Sequence, residues 1–78
     1  MAAVGFVLVS TLPGAELSVR EAVSRFDSVV GQWIVFGSHD LFVKVEAEDE
    51  SDLTRCIVHD IRSVPGISDT RTLIGAEI

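Results

Sequence analysis

The sequence predicts an α+β domain in which strands and helices follow the order βαββαβ. Apolar, β-branched runs alternate with two helical patterns along the chain. The two halves also align with each other, since residues 6–9 match 42–45 and residues 28–31 match 63–66. Two βαβ units with right-handed crossovers interleave into a four-stranded antiparallel sheet with both helices on one face, the ferredoxin-like arrangement. The 78 residues suffice for a single domain over 1–78.

The predicted elements, in order, are strand 4–11, a helix over about 15–26, strand 29–36, strand 41–47, a helix over about 49–64 and strand 67–76. Pro13 and Gly14 end the first strand. The first helix has one apolar face, because five of its residues fall within about 100° of arc. These residues are Ala15, Val19, Ala22, Val23 and Phe26.

The second predicted helix has signals at both ends. Asp49 and Asp52 suit its positive N-terminal end, and Arg62 lies in its last turn. Pro65 then ends it. Its apolar stripe consists of Leu53, Ile57, Ile61 and Val64.

Strand parity indicates what lies on the sheet face that the helices leave uncovered. The first strand is apolar on both sides, with Phe6 and Leu8 on one side and Val7 and Val9 on the other. Two helices cover only one face, so packing against the sheet of a second copy is the expected cover. The sequence therefore predicts a homodimer, an α+β sandwich or barrel. Its predicted interface contains Phe6, Val7, Leu8, Val9, Val35 and Leu73.

The charge balance argues against several classes of partner. Six basic and twelve acidic residues give a net charge of −6 and a pI near 4.6. Phosphate neutralisation needs clustered Lys and Arg, so we expect no direct nucleic-acid binding, and an anionic membrane surface would repel the chain. No apolar run reaches the roughly 18–20 residues of a spanning helix, and residues 2–11 lack the basic flank of a signal peptide. We therefore expect a cytoplasmic protein.

The loop between the two middle strands is the sharpest candidate for a binding site. Gly37 permits a positive φ, Ser38 and the backbone amides can donate to a carboxylate, and Asp40 can accept from an ammonium group. Together with His39 these residues form a complement to a zwitterion. The same residues also make an ordinary polar hairpin turn, and their composition alone leaves both interpretations open.

The middle of the chain resembles the Lrp/AsnC (feast/famine) regulators, in the string Trp33-x-x-Phe36-Gly37-x-His39-Asp40-Leu41-x-Val43-Lys44-Val45. In that family a Gly-x-Tyr-Asp turn precedes an apolar strand. The rest of the chain, over about residues 4–76, follows the same plan. The resemblance implies an effector-binding RAM domain that dimerises through its sheet, assembles further into an octamer-type ring and holds an amino-acid effector between dimers. It assigns effector contacts to Gly37, Ser38, His39, Asp40, Thr70, Thr72 and Trp33.

Two departures from the family pattern shape the expected role. Residues 1–3 contain nothing that resembles the helix-turn-helix domain of most full regulators, so the resemblance is to a stand-alone RAM form that acts by modulating a full-length Lrp/AsnC regulator. The turn also has His39 where the family often has Tyr, which changes its hydrogen bonding and adds a titratable group.

Other combinations of residues give weaker predictions. Cys56, His59 and Asp60 lie near one another on the second helix, but a metal site needs three or four converging ligands and the other histidine, His39, lies in a different loop. We therefore expect a solvated helix face, no metal and no cofactor. A cofactor-free enzyme of the dimeric α+β barrel type, using His39 with Asp40 or His59, is one alternative to a binding module. An ACT-like amino-acid-binding regulatory domain is another.

Overall fold

The computed structural model describes residues 3–75. Its elements are strand β1 (Ala3–Thr11), helix α1 (Glu16–Ser24), strand β2 (Val29–Ile34), strand β3 (Leu41–Ala47), helix α2 (Glu50–Arg55), a π-helix (Cys56–Ile61) and strand β4 (Ile67–Ile74). The predicted βαββαβ order is confirmed, because the π-helix continues α2 without a break. Over residues 3–75 no helix is both long enough and apolar enough to cross a bilayer.

The four strands form one antiparallel sheet in the order β2-β3-β1-β4. Strand β1 lies in the middle, where Val7 pairs with Val43 of β3 and with Thr72 of β4. This is the interleaved order that two right-handed βαβ units produce. It brings the start of β3 next to the end of β1, at the end of the sheet where the turn between β2 and β3 lies.

The core lies between the sheet and the helices. Alternate residues of β1 and β3 point into it, together with one face of each helix, as strand parity and the two apolar stripes predict. The fully buried members are Val7, Val9, Val19, Val23, Leu41, Val43, Val45, Leu53 and Ile61. Burying each of these side chains stabilises the fold by about 1.5–3 kcal/mol relative to leaving it exposed. At Gly5 a Cβ would lie 3.3 Å from Leu53 Cδ2, so the missing side chain allows α2 to pack closely on β1.

The second helix differs in its details from the prediction of one α-helix over about 49–64. Asp49 caps α2, because its Oδ1 accepts a 2.8 Å hydrogen bond from the backbone N–H of Asp52. From Cys56 onward the chain is π-helical, and the Arg62 N–H donates to the Ile57 carbonyl at 3.1 Å, five residues back. The apolar spacing of Leu53, Ile57 and Ile61 fits either helix type, which is why the sequence pattern did not distinguish them.

The ends of two strands also differ from the prediction. Strand β2 ends at Ile34 rather than at residue 36, and Phe36 leaves the sheet with its side chain 96% exposed. Strand β4 ends at Ile74. The prediction extended this strand to Ala76, which lies outside the described residues.

The sheet surface opposite the helices, called the open face below, is apolar at its centre. Its cross-strand neighbours form two rows, Trp33–Phe42–Leu8–Arg71 and Gly31–Lys44–Phe6–Leu73. The rings of Phe6 and Phe42 stack with centroids 5.3 Å apart, and the Trp33 and Phe42 centroids lie 5.8 Å apart. Together these rings form an aromatic strip across three strands. Trp33 and Leu73 remain about half exposed.

Candidate functional site

The turn over residues 35–40 joins the end of β2 to the start of β3. The backbone N–H of Val35 donates to the Asp40 carbonyl at 3.0 Å, which closes the turn. Gly37 has φ +138°, a backbone conformation that L side chains rarely adopt, and no atom lies within 4 Å of where its Cβ would be. The turn therefore needs glycine at this position because of its backbone conformation.

Asp40 connects the turn to the end of β1. Its Oδ2 accepts hydrogen bonds from the Thr11 backbone N–H at 2.8 Å and from Thr11 Oγ1 at 3.3 Å. Its own N–H donates to the Val9 carbonyl at 2.8 Å. Within residues 3–75 no donor lies within hydrogen-bond distance of the other carboxylate oxygen, Oδ1. One side of the carboxylate is thus part of the fold, and the other is open to a further donor.

The tip of the turn presents a group of hydrogen-bond donors. Across the described part of the chain, no acceptor takes the backbone N–H groups of Gly37, Ser38 and His39. The Ser38 hydroxyl and His39 Nδ1 lie 2.9 Å apart and hydrogen-bond to each other, and Ser10 Oγ donates to the Ser38 carbonyl at 3.4 Å. Three successive free N–H groups next to a hydroxyl can bind a carboxylate, while Asp40 Oδ1 can accept from an ammonium group.

The other predicted effector contacts lie apart from this turn. Thr70 and Thr72 pair with Val9 and Val7, so they share the side of the sheet that carries the helices. They lie on β4, two strands from β3, a separation of about 10 Å across the sheet. Trp33 lies on the open face. Within one copy, residues 37–40 therefore lie together in the turn, whereas Thr70 and Thr72 lie on one side of the sheet and Trp33 on the other.

Comparison with known proteins identifies the fold. Residues 4–77 match the Lrp/AsnC ligand binding domain. The chain belongs to this family. An uncharacterized helix-turn-helix-type transcriptional regulator of Pyrococcus horikoshii is 34% identical over 71 residues, which cover 91% of this chain and 45% of that protein. The chain spans about half the length of the curated relatives it matches.

Solved structures show the same fold. The crystal structure of FFRP-DM1 has a TM-score of 0.90 at 35% identity, covering 95% of this chain and 99% of that one. A transcriptional regulator of Neisseria meningitidis, solved as its L-Met complex, has a TM-score of 0.79 at 15% identity and covers 96% of this chain and 50% of that one. At that identity the likeness concerns the fold alone. The Lrp/AsnC family consists of transcription-regulator domains and is not an enzyme family.

The residues predicted for a dimer interface of this Lrp/AsnC domain divide between the two faces of the sheet. Phe6, Leu8 and Leu73 lie on the open face. Val35 lies just beyond β2 and is partly buried. Val7 and Val9 are fully buried under the helices. Assigning those two valines to the interface was wrong, because the first strand is apolar on both sides and these residues fill the core.

The second helix of the Lrp/AsnC domain holds the remaining sequence candidates. Cys56 is buried, whereas the His59 side chain is exposed. Desolvation by burial raises the pKa of the Cys56 thiol; the charge of Asp60 adds to this increase, and a hydrogen bond to Ser28 opposes it. Among residues 3–75, no three His, Cys, Asp or Glu side chains are grouped so that they could hold a metal ion. The thiol behaves as a small apolar group of the core.

Sequence reasoning missed Ser10 and Thr11, which hold the turn. Both follow the apolar run of the first strand, and β3 begins immediately after Asp40. In the antiparallel register, Val9 faces Leu41, which places the two hydroxyl residues beside the turn. Antiparallel pairing of the first and third strands could have revealed these contacts, because it places two hydroxyl residues at the end of β1 beside the Asp that precedes β3.

Proposed function

We propose that this domain binds an amino-acid-like effector at the turn over residues 37–40 and regulates transcription through its assembly with other chains. The observation that carries the proposal is the set of free N–H groups at Gly37, Ser38 and His39 beside the open Oδ1 of Asp40. An α-amino acid carries a carboxylate and an ammonium group on one carbon, which suits donors and an acceptor held on one short turn. The L-Met complex of the Neisseria regulator, which shares the fold, supports this class of ligand.

The open face supports homodimerisation. It carries an aromatic strip and aliphatic side chains at its centre, and a second copy of the same face would remove them from water. Glu46, Asp69 and Arg71 lie on this face towards its ends and its β4 edge, so both signs of charge surround the apolar centre, and Lys44 within the second row pairs with Glu46 at 4.0 Å. A polar, mixed-charge rim around an apolar centre is typical of specific protein interfaces.

Contacts from a second dimer would complete the effector site. Thr70 and Thr72 lie on the helix side of β4 and at a distance from the turn of their own copy, so we propose that they meet the effector from a neighbouring dimer in an octamer-type ring. Binding at a site shared between copies favours the assembly that contains it. The relatives that carry a helix-turn-helix domain make a full-length Lrp/AsnC regulator the expected partner, and we expect the domain to act with it in the cytoplasm.

Size-exclusion chromatography with light scattering tests the assembly and the ligand together. The protein is run alone and with each of the twenty proteinogenic L-amino acids, and binding is measured by calorimetry. We expect one amino acid to change the oligomer, and Asp40→Ala to weaken its binding. Asp27→Ala is the matched control, since Asp27 is an exposed carboxylate in the loop before β2, at the opposite end of that strand from the turn. The same affinity in Asp40→Ala and in the wild type would rule out the proposed role of the carboxylate.

A further inference from the structure

We propose that Thr11, assisted by Ser10, is a positioning residue that holds the turn in its ligand-binding conformation without touching the ligand. This inference rests on the proposed function, because it takes the turn over residues 37–40 as the binding site. Neither hydroxyl belongs to the predicted set of effector contacts. Both lie at the end of β1, and their partners are 28 and 29 residues away in the chain.

The ladder between β1 and β3 ends at the pair Val9 and Leu41. Two residues after Val9, the Thr11 N–H bonds the side-chain oxygen Oδ2 of Asp40 at 2.8 Å, where a regular ladder would supply a backbone carbonyl. The Thr11 hydroxyl donates to the same oxygen at 3.3 Å. One carboxylate oxygen therefore holds two donors of a single residue. The orientation of Asp40, including the direction of its open Oδ1, depends on this pair of bonds.

Ser10 adds a second attachment on the other side of the turn. Its Oγ donates to the Ser38 carbonyl at 3.4 Å. With the bond from the Asp40 N–H to the Val9 carbonyl, three successive residues of β1 bond the turn. Without them only the bond between Val35 and Asp40 would close the turn, and ligand binding would have to order the remaining backbone at an entropic cost.

Thr11 is itself held firmly from the opposite side. It pairs with Ile67 of β4 after a register shift between Ser10 and Thr11. The next residue, Leu12, donates its N–H to the Gly66 carbonyl at 2.8 Å. The turn is thus fastened to a segment that β4 and the preceding loop already fix, and Thr11 is suited to act as a rigid support.

Thr11→Val tests this role, because valine has nearly the same shape, keeps the backbone N–H bond and lacks the hydroxyl. We expect the amino acid that binds the wild type to bind Thr11→Val about two- to tenfold more weakly, which corresponds to the loss of one hydrogen bond. Thr11→Ser keeps a hydroxyl and should restore the affinity. Ser10→Ala should have a smaller effect, because its bond is longer. Thr54→Val, an exposed threonine on α2, is the control.

Hydrogen exchange of backbone amides, followed by NMR, gives a second readout that needs no ligand. The Asp40 and Thr11 amides should exchange faster in Thr11→Val than in the wild type, Thr11→Ser and Thr54→Val, while the amide of Val43 in the core stays protected in all of them. L-methionine is the first ligand titrated, followed by the other nineteen amino acids.

The outcomes separate the positioning role from the proposed function. Unchanged exchange at Asp40 and Thr11 in Thr11→Val would overturn the positioning role, and so would faster exchange without a loss of affinity. If no amino acid binds the wild-type protein, the proposed function fails, and the exchange rates alone decide whether Thr11 holds the turn.

Discussion

Gly31→Ala is expected to disturb the open face while leaving the fold intact. The indole of Trp33 lies over the Gly31 backbone, and a Cβ at this position would lie 2.8 Å from Cη2 and 3.2 Å from Cζ3 of that ring. Gly31 does not have a positive φ, so alanine suits its backbone. The clash is therefore with the side chain of Trp33 alone, and the indole has to move away from Gly31.

The magnitude follows from the contact that the indole makes. Trp33 packs on Phe42 with centroids 5.8 Å apart, and an aromatic pair of this kind contributes about 0.5–1.5 kcal/mol beyond its buried area. Replacing glycine by alanine lowers the conformational entropy of the unfolded chain, which stabilises the folded state by about 0.4–1 kcal/mol. The two effects oppose each other, so the unfolding free energy of the single copy should change by less than about 1 kcal/mol. In the proposed dimer each displaced indole would also lose its contact with the facing copy; at about 0.5–1.5 kcal/mol for each of the two indoles, the dissociation constant should rise by about 5- to 140-fold.

Tryptophan fluorescence measures this effect directly, because Trp33 is the only tryptophan. Dilution of the wild type should shift its emission to longer wavelength as the half-exposed indole of the single copy meets water, and Gly31→Ala should show this shift at higher protein concentration. Thr54→Ala, at an exposed position on α2 away from the open face, is the control. An identical dilution curve for Gly31→Ala and the wild type would refute the reasoning about the open face.

Three further predictions concern the turn, the core and the thiol. Gly37→Ala should cost about 1–3 kcal/mol of unfolding free energy because of its positive φ, while Ser38→Ala costs little; equal effects in chemical denaturation would contradict this. Leu53→Ala should cost about 2–5 kcal/mol and lower Tm by more than about 8 °C, against little change for Thr54→Ala, and a drop below about 4 °C would disprove tight packing on Gly5. Burial raises the pKa of the Cys56 thiol, so the thiol of the unfolded chain ionises first as pH rises, and the free energy of unfolding should fall above about pH 8.5. Cys56→Ala should lose this part of the pH dependence. Parallel curves of unfolding free energy against pH for Cys56→Ala and the wild type would contradict a raised thiol pKa.

The strand order and most of the core followed from the sequence pattern. The alternation of Val43 and Val45 with the charged residues Lys44 and Glu46 indicated which side of β3 is buried, and the stripe of the second helix identified Leu53 and Ile57 correctly. The pattern failed on β1, where both sides are apolar and parity alone cannot distinguish the core from the open face. That ambiguity put Val7 and Val9 in the predicted interface.

The candidate site was predictable only in its local part. The composition of residues 37–40 indicates donors and an acceptor on one turn, but it does not show that one oxygen of Asp40 is already bonded to Thr11. This bond joins residues that are distant in the chain, so it depends on the register of two strands. The opposite locations of Trp33 and Thr70 likewise follow from cross-strand pairing, which the order of elements alone leaves undetermined.

The double-sided apolar pattern of β1 also bears on how the chain finds its register during folding. A slip by one residue normally exposes a strand's apolar set to water, but in β1 it would exchange one apolar set for another with little loss of burial. Gly5 disfavours such a slip, because Val4 or Phe6 would then lie under Leu53, where even a Cβ would come within 3.3 Å of Leu53 Cδ2. The pair formed by Thr11 and Asp40 provides a polar check at the other end of the strand. Correct pairing of the central strand is therefore specified by one missing side chain and one carboxylate.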